Sequence, residues 1–278
     1  MGEPLAGVRV VAVTVNVPGP AAAARLRDLG ARVTFVEPPQ GNLLSHAAPG
    51  WYAALTRDSD VRTLDLKQAA PRMELDRLLA QADLLITASR PSSLTRLGLG
   101  WDDLRVRCPE LCHIAIVGYA PPHEEKPGHD LTYMARHGLV GGVEMPRTLM
   151  ADLAGAERAA TEALALLYAR ARTGKAGRRL VALGDAADAV AAPWVHGITR
   201  PGAYLGGGLP NYAIYPTRDG HLACALLEPQ FFARFLAEVG LETADAAVLA
   251  ELFLTRSARE WEDWALSRDL PLAALATQ

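Results

Sequence analysis

Val8-Arg9-Val10-Val11-Ala12-Val13, Pro18-Gly19-Pro20, Ala21–Leu29 closed by Gly30, then Val33-Thr34-Phe35-Val36: this opening decides the fold. The first run is short and β-branched, as a strand buried on both faces should be. The Pro-Gly-Pro turn leads into an Ala- and Leu-rich segment that reads as a helix, with Gly30 as its stop. A second β-branched run completes a βαβ unit. Such a unit predicts a right-handed crossover and a Rossmann-like parallel sheet.

The alternation continues outward from there. Glu74–Gln81 reads as a helix, Leu84-Leu85-Ile86-Thr87 as a strand, Asp102–Arg107 as a short helix and Leu111–Val117 as a strand ending at Gly118. Leu131–Arg136 reads as a helix, and a long Ala/Leu helix runs from Asp152 to Arg172, stopped by Thr173-Gly174. A strand at Leu180–Leu183 and a further helix follow. Neither G-x-G-x-x-G after the first strand nor G-x-x-x-x-G-K-[ST] occurs, which argues against dinucleotide or nucleoside-triphosphate use.

The texture then changes. Gly206-Gly207-Gly208 precedes Tyr212–Tyr215, a turn at Arg218-Asp219-Gly220, and His221–Leu227; Asp-Gly between two apolar runs signals a hairpin. Helices at Pro229–Val239, Ala244–Leu254 and Ala258–Ser267 complete a smaller α+β region. The punctuation at Pro193 and Pro201-Gly202 sets the border, giving a Rossmann-like domain over residues 1–195 and a small α+β domain over 196–278. The expected class is therefore α/β.

Composition excludes several functions. Half of the 278 residues are hydrophobic and 21% are charged, ordinary for a globular chain, and the net charge of −3 lacks the basic stripe of a nucleic-acid surface. The apolar run near the N-terminus is interrupted by Arg9 and turns at Pro18, unlike a signal peptide, and no apolar stretch is long enough to span a bilayer. A reducing cytoplasm is expected, with no membrane and no nucleic acid as partner. Cys108, Cys112 and Cys224 lack zinc-ligand spacing, so reduced thiols and no metal are expected.

The residues able to carry chemistry cluster in three blocks: Pro127-Gly128-His129-Asp130, Met150-Ala151-Asp152-Leu153-Ala154-Gly155 and Leu227-Glu228-Pro229. Each also fits a plain structural role. A His beside an Asp is often a surface pair, and a carboxylate at a helix start is often an N-cap contributing about 1 kcal/mol. Position favours function: His129-Asp130 opens one helix and Asp152 another, and a helix N-terminus offers backbone N–H groups that stabilise developing negative charge.

Order along the chain now identifies a resemblance. Gly19-Pro20, Leu26-Arg27-Asp28-Leu29-Gly30-Ala31 and Val36-Glu37 resemble the opening of the class III CoA-transferase family. Leu64-Asp65-Leu66-Lys67, Arg90-Pro91 with Leu97-Gly98-Leu99, Gly118-Tyr119 and Pro127-Gly128-His129-Asp130 resemble its next blocks in order. Tyr215-x-Thr217-x-Asp219-Gly220 with Leu227-Glu228-Pro229-Gln230-Phe231-Phe232 resembles the α-methylacyl-CoA racemase branch in particular.

This resemblance implies an acyl-CoA enzyme in which His129 and Asp152 exchange the proton next to a thioester, with Asp130 and Glu228 supporting the His. Inverting a carbon centre this way needs one base on each face, each returning a proton as an acid. In the transferase branch the matching Asp is instead a nucleophile. Gly206-Gly207-Gly208-Leu209-Pro210 is compatible with transfer, but His129 favours the racemase reading. A shortened, non-catalytic acyl-CoA binder is the third reading. The resemblance also implies phosphate contacts from Arg90 and Arg96, with Arg57 and Arg62 nearby, although Pro38 and Ser59-Asp60 replace basic residues frequent in the family. No cofactor is expected beyond coenzyme A as part of the thioester substrate. Tyr133, Met134 and Tyr212 are candidate acyl-pocket residues that equally fit a core. Family members run on past Asp269-Leu270-Pro271, so a C-terminally shortened chain is expected, with exposed apolar surface covered in a homodimer.

Overall fold

The computed structural model describes residues 2–276. The chain divides into two compact units, one up to Ala191 and one from Ala192. The expected border at 195/196 falls at the end of the helix in which this division lies.

In the first unit β1 (Arg9–Val13), α1 (Pro18–Asp28) and β2 (Arg32–Glu37) form the predicted βαβ opening. They are followed by α2 (Leu43–Ala47), α3 (Pro49–Thr56), β3 (Asp60–Thr63), α4 (Ala69–Ala80), β4 (Leu84–Thr87), α5 (Pro91–Arg96), α6 (Trp101–Arg107) and β5 (Cys112–Val117). Then come α7 (Asp130–Arg136), α8 (Met150–Thr173), β6 (Arg178–Ala182) and α9 (Leu183–Val195). The six strands form one sheet in the order β3-β2-β1-β4-β5-β6, and every pairing is parallel.

Alternate residues of the central strands feed two cores, which is why these strands read as continuous apolar runs. Val10, Ala12, Leu84, Ile86, Ile114 and Ile116 pack with α1 and α8. Val11, Leu85 and neighbouring leucines pack with α4, α5 and α6 on the other face. Alanines set the spacing of the first layer: Ala22 and Ala23 of α1 and Ala156, Ala159 and Ala163 of α8 are all buried. Gly155 serves the same purpose, because a Cβ there would collide with the Leu183 side chain.

The second unit holds the expected hairpin, β7 (Tyr212–Pro216) and β8 (His221–Ala225), then α10 (Pro229–Val239), α11 (Ala246–Phe253) and α12 (Ala258–Leu266). A strand absent from the sequence reading, β9 (Leu272–Ala274), adds to β8 and makes a three-stranded antiparallel sheet. Phe235, Phe253 and Trp261 are its largest buried side chains.

The structure corrects the reading at several ends. β3 was not foreseen because all four of its residues are exposed at a sheet edge and carry no alternation. α4 starts five residues earlier than its periodicity suggests, at Ala69. α8 starts at Met150, so Asp152 is its third residue and Leu149 its N-cap.

Candidate active site

In an open parallel sheet, ligands bind beyond the carboxyl ends of the strands, where the strand order reverses. Here that point lies between β1, which leads back to β2, and β4, which leads on to β5. A cleft of about 220 Å³ occupies this place. Val15 and Asn16 line it after β1, Ser89 and Arg90 after β4, and Gly118 after β5. Asn16 holds a φ of 67°, a strained conformation for a residue with a Cβ, directly on the cleft wall.

The sequence-predicted pair meets in this cleft: His129 and Asp152 both line it. His129 is the N-cap of α7, with extended backbone. Its N–H donates to Thr132 Oγ1 at 3.0 Å, and the Thr132 hydroxyl donates back to the His129 carbonyl at 2.7 Å. Thr132 thereby fixes the backbone and leaves the imidazole exposed at the cleft.

Asp130 does something the sequence did not reveal. It begins α7, is 5% exposed, and its Oδ1 accepts the backbone N–H of Asp152 at 2.9 Å. Leu149 has no polar atom to cap α8, so a carboxylate from the preceding helix takes that role. Asp130 Oδ2 is buried and has no hydrogen-bond partner among the described residues. The start of this helix was expected to offer backbone N–H groups to a substrate oxygen; the N–H of Asp152 is not free for that, because Asp130 occupies it.

Asp152 is half-buried, and its carboxyl is pushed up to about 7, first by burial and then by the charge of Asp130. Two neighbouring carboxylates resist ionising together, and loss of water reinforces the effect. A carboxyl poised near neutrality can accept and return a proton in one cycle.

Tyr133 forms the inner wall. It is 2% exposed, lines the cleft, and packs edge-on to Tyr119 with ring centroids 5.2 Å apart. A Cβ on Gly118 or Gly128 would collide with the Tyr133 ring or hydroxyl, so these two glycines make room for the ring beside the His129 loop. Burial raises its phenol to about 12. Met134, by contrast, lies in the core with no exposure.

The expected phosphate-binding arginines separate. Arg90 lines the cleft. Arg96 ends α5 and donates to Ser93 Oγ at 2.9 Å. Between these two arginines and Ser92 sits Glu125, whose carboxylate accepts from Ser92 N–H at 2.7 Å and Ser92 Oγ at 2.9 Å and is held below the usual range by those bonds. Arg57 pairs with Asp28 and Asp58, and Arg62 with Asp60 at 2.7 Å; neither lines the cleft. Glu228 lies in the second unit, exposed at the N-cap of α10, where its side chain makes no capping bond.

A second cleft of about 410 Å³ adjoins the ends of β1, β2 and β3. Thr14, Glu37, Gln40, Asp65, Lys67 and Ser89 are its polar lining, and Leu64 and Leu97 are part of its apolar wall. Its residues come from separate strand ends; Val36-Glu37 and Leu64-Asp65-Leu66-Lys67 belong to the blocks that carry the family resemblance, but nothing in the sequence marks them as sharing one cleft.

This geometry has counterparts in known proteins. The model of CoA-transferase family III matches residues 5–277. A probable fatty acyl-CoA transferase of Mycobacterium tuberculosis, Rv3272, is 34% identical over 203 residues, which cover 66% of this chain and 52% of that protein. The mouse α-methylacyl-CoA racemase is 29% identical over 87% of this chain and 66% of its own length. The succinyl-CoA–D-citramalate CoA-transferase of Chloroflexus aurantiacus is 30% identical over 78% of this chain and 60% of its own. The chain thus spans about half to two thirds of these relatives. The crystal structure of Rv3272 superposes with a TM-score of 0.83, covering 99% of this chain and 84% of that one. With its parallel sheet, its cleft at the strand reversal and a family match over nearly its whole length, the chain belongs to CoA-transferase family III.

Proposed function

We propose that the protein exchanges the α-proton of an acyl-CoA thioester of the 2-methylacyl class, with His129 and Asp152 as the two bases. The observation that carries this reading is an Asp152 carboxyl raised to about 7 in the cleft that also holds His129. One enantiomer loses its proton to one group while the other group protonates the opposite face. Arg90 draws the phosphates of coenzyme A, with Arg96 behind it, and the second cleft receives the apolar and hydrogen-bonding end of the carrier.

Transfer of coenzyme A between carboxylic acids, with Asp152 as nucleophile, is the second reading. Two of the relatives above are named as transferases, which favours it. The raised pKa works against it, since a carboxyl half protonated near pH 7 is a poorer nucleophile than a fully ionised one. Incubating the protein with a panel of CoA thioesters in deuterated water tests the choice. Deuterium at the α-carbon of a branched thioester is expected. No incorporation, together with acyl movement to added free acids, would leave transfer as the better account.

We also propose a homodimer. Trp194, Val195, Ile198 and Tyr204 are exposed along one stretch of chain, at 38%, 53%, 41% and 58%. Sedimentation across the micromolar range checks it, and a monomer that stays folded and active would remove the argument.

A further inference from the structure

Removing the proton next to a thioester breaks a C–H bond, hands the proton to a base and sends the electron pair onto the thioester oxygen. That charge is best held by donors already in place before the reaction. The backbone N–H of Asp152 is not one of them, because Asp130 Oδ1 accepts it at 2.9 Å. Two cations line the cleft, Arg90 and Lys126, and both are exposed. Of the two hydroxyl residues that line it, Tyr133 is 2% exposed, and Ser89 also lines the second cleft. Apart from the imidazole that takes part in the exchange, one neutral side-chain N–H donor remains on this wall. It is the carboxamide of Asn16, which is half-buried.

No structural task accounts for this side chain. The φ of 67° lies in the left-handed region, which glycine adopts most easily and asparagine tolerates better than most residues. An asparagine just ahead of a helix commonly caps it. Here Val17 is the N-cap of α1, and no side chain caps that helix. Pro18 and Pro20 have no N–H to satisfy, and the Ala21 N–H donates to the Val17 carbonyl at 3.0 Å. The Asn16 carboxamide has no hydrogen-bond partner among the described residues, yet neither of its polar atoms is buried. Asp58 and Asp269 also combine a Cβ with a positive φ, but both are exposed and line neither cleft.

We propose that Asn16 is a further catalytic residue: its carboxamide N–H donates to the thioester oxygen of the bound acyl-CoA and holds the negative charge that gathers there. This deepens the acyl-CoA reading and rests on it. The electron pair returns to carbon when the second base delivers its proton, so the amide serves both directions and is itself unchanged. A neutral donor suits this place, because a cation beside Asp152 would pull its carboxyl down from about 7. The turn that carries Asn16 is also pinned. A Cβ on Gly19 would collide with the Thr14 side chain, and two prolines flank that glycine. The amide is therefore held in position before substrate arrives. Transfer through Asp152 would draw on the same donor, since attack on the thioester also moves charge to that oxygen.

The test compares two ligands by calorimetry: isobutyryl-CoA, and the thioether isobutyl-CoA, which lacks the carbonyl oxygen. The α-carbon of isobutyryl-CoA is not a stereocentre, so proton exchange in water leaves the ligand unchanged. The parent chain should bind the thioester about fivefold more tightly, the ratio for one neutral hydrogen bond. Asn16→Gly permits the same backbone angle without the amide, so it should stay folded, keep its affinity for the thioether and lose the preference. Asn16→Asp has the same shape and no N–H to donate, and should lose the preference as well. In deuterated water, exchange at the α-carbon of isobutyryl-CoA should fall by about 10² in kcat in Asn16→Gly, as for loss of one oxyanion donor. A preference that persists in Asn16→Gly or in Asn16→Asp overturns the proposal, as does a parent chain that binds both ligands equally. A parent chain that binds neither overturns the acyl-CoA reading along with it. A parent chain that shows the preference but no deuterium exchange overturns proton exchange alone and leaves the role of Asn16 supported.

Discussion

Asp130 Oδ1 holds the backbone N–H of Asp152 at 2.9 Å, and through that bond the charge that helps to raise the Asp152 carboxyl is also the cap of its helix. Asp130→Asn separates the two roles. The amide oxygen still accepts the N–H, so the melting temperature at neutral pH should change little, within about 1 kcal/mol of stability. The charge is gone, so the Asp152 pKa should fall and the acidic limb of the pH–rate profile should move down by about one unit. A limb that stays in place would assign the whole shift to burial.

The same carboxyl makes a prediction for stability. Its folded pKa of about 7 lies above the ordinary aspartate value of 3.8, so the folded state favours the proton. The stabilisation linked to it is fully present below the unfolded pKa and is lost as pH rises through the folded one. Asp152→Asn removes this dependence. Relative to the parent chain it should gain on the order of 1 kcal/mol between pH 5 and pH 8, after allowance for solvent screening of a half-buried group. Thermal melts at both pH values check the sign.

Much of this site was legible before the structure, and the reasons are physical. Strands buried on both faces leave unbroken apolar runs, so β1, β2, β4 and β5 could be read, whereas the strand order that sets the reversal point rests on pairings the sequence does not mark. His129 and Asp152 stood out because each was read at the start of a helix, although Asp152 is the third residue of α8. The role of Asp130 was hidden, because it spans 22 residues and depends on Leu149 being unable to cap α8. Tyr133 was legible only as a candidate for pocket or core alike, because an aromatic in a helix fits both; it lines the cleft where Gly118 and Gly128 leave room for its ring. β3 and β9 are short, and the exposed β3 shows no alternation, so periodicity could not mark them.

The four arginines singled out for coenzyme A should not contribute equally. Arg90 lines the cleft, whereas Arg57 and Arg62 are held by acids on the surface. Arg90→Ala should weaken coenzyme A binding by about tenfold and flatten its salt dependence. Arg57→Ala and Arg62→Ala should each change it by less than about twofold, as for other surface ion pairs. Calorimetry at two salt concentrations measures all three. Equal losses would mean that the phosphates bind near β3, away from the cleft.

His129 and Asp152 can be separated by direction of exchange. In a two-base reaction one group removes the proton from one enantiomer and the other group from its mirror image. His129→Ala leaves Asp152, its cap and the cleft wall intact, so wash-out of label from one enantiomer should survive while inversion drops by a factor of 10² or more, roughly the contribution of one general acid–base group. Asp152→Asn should show the opposite preference, and because its helix is capped by Asp130 it should do so without unfolding. Melting curves run beside the kinetics keep lost chemistry distinct from lost structure. A nucleophilic Asp152 predicts a different pattern: no turnover in Asp152→Asn, a mild effect of His129→Ala, and an acyl-enzyme trapped by hydroxylamine. That second pattern would replace proton exchange with transfer in the same cleft, because the group that attacks would still be the carboxylate at the third position of α8.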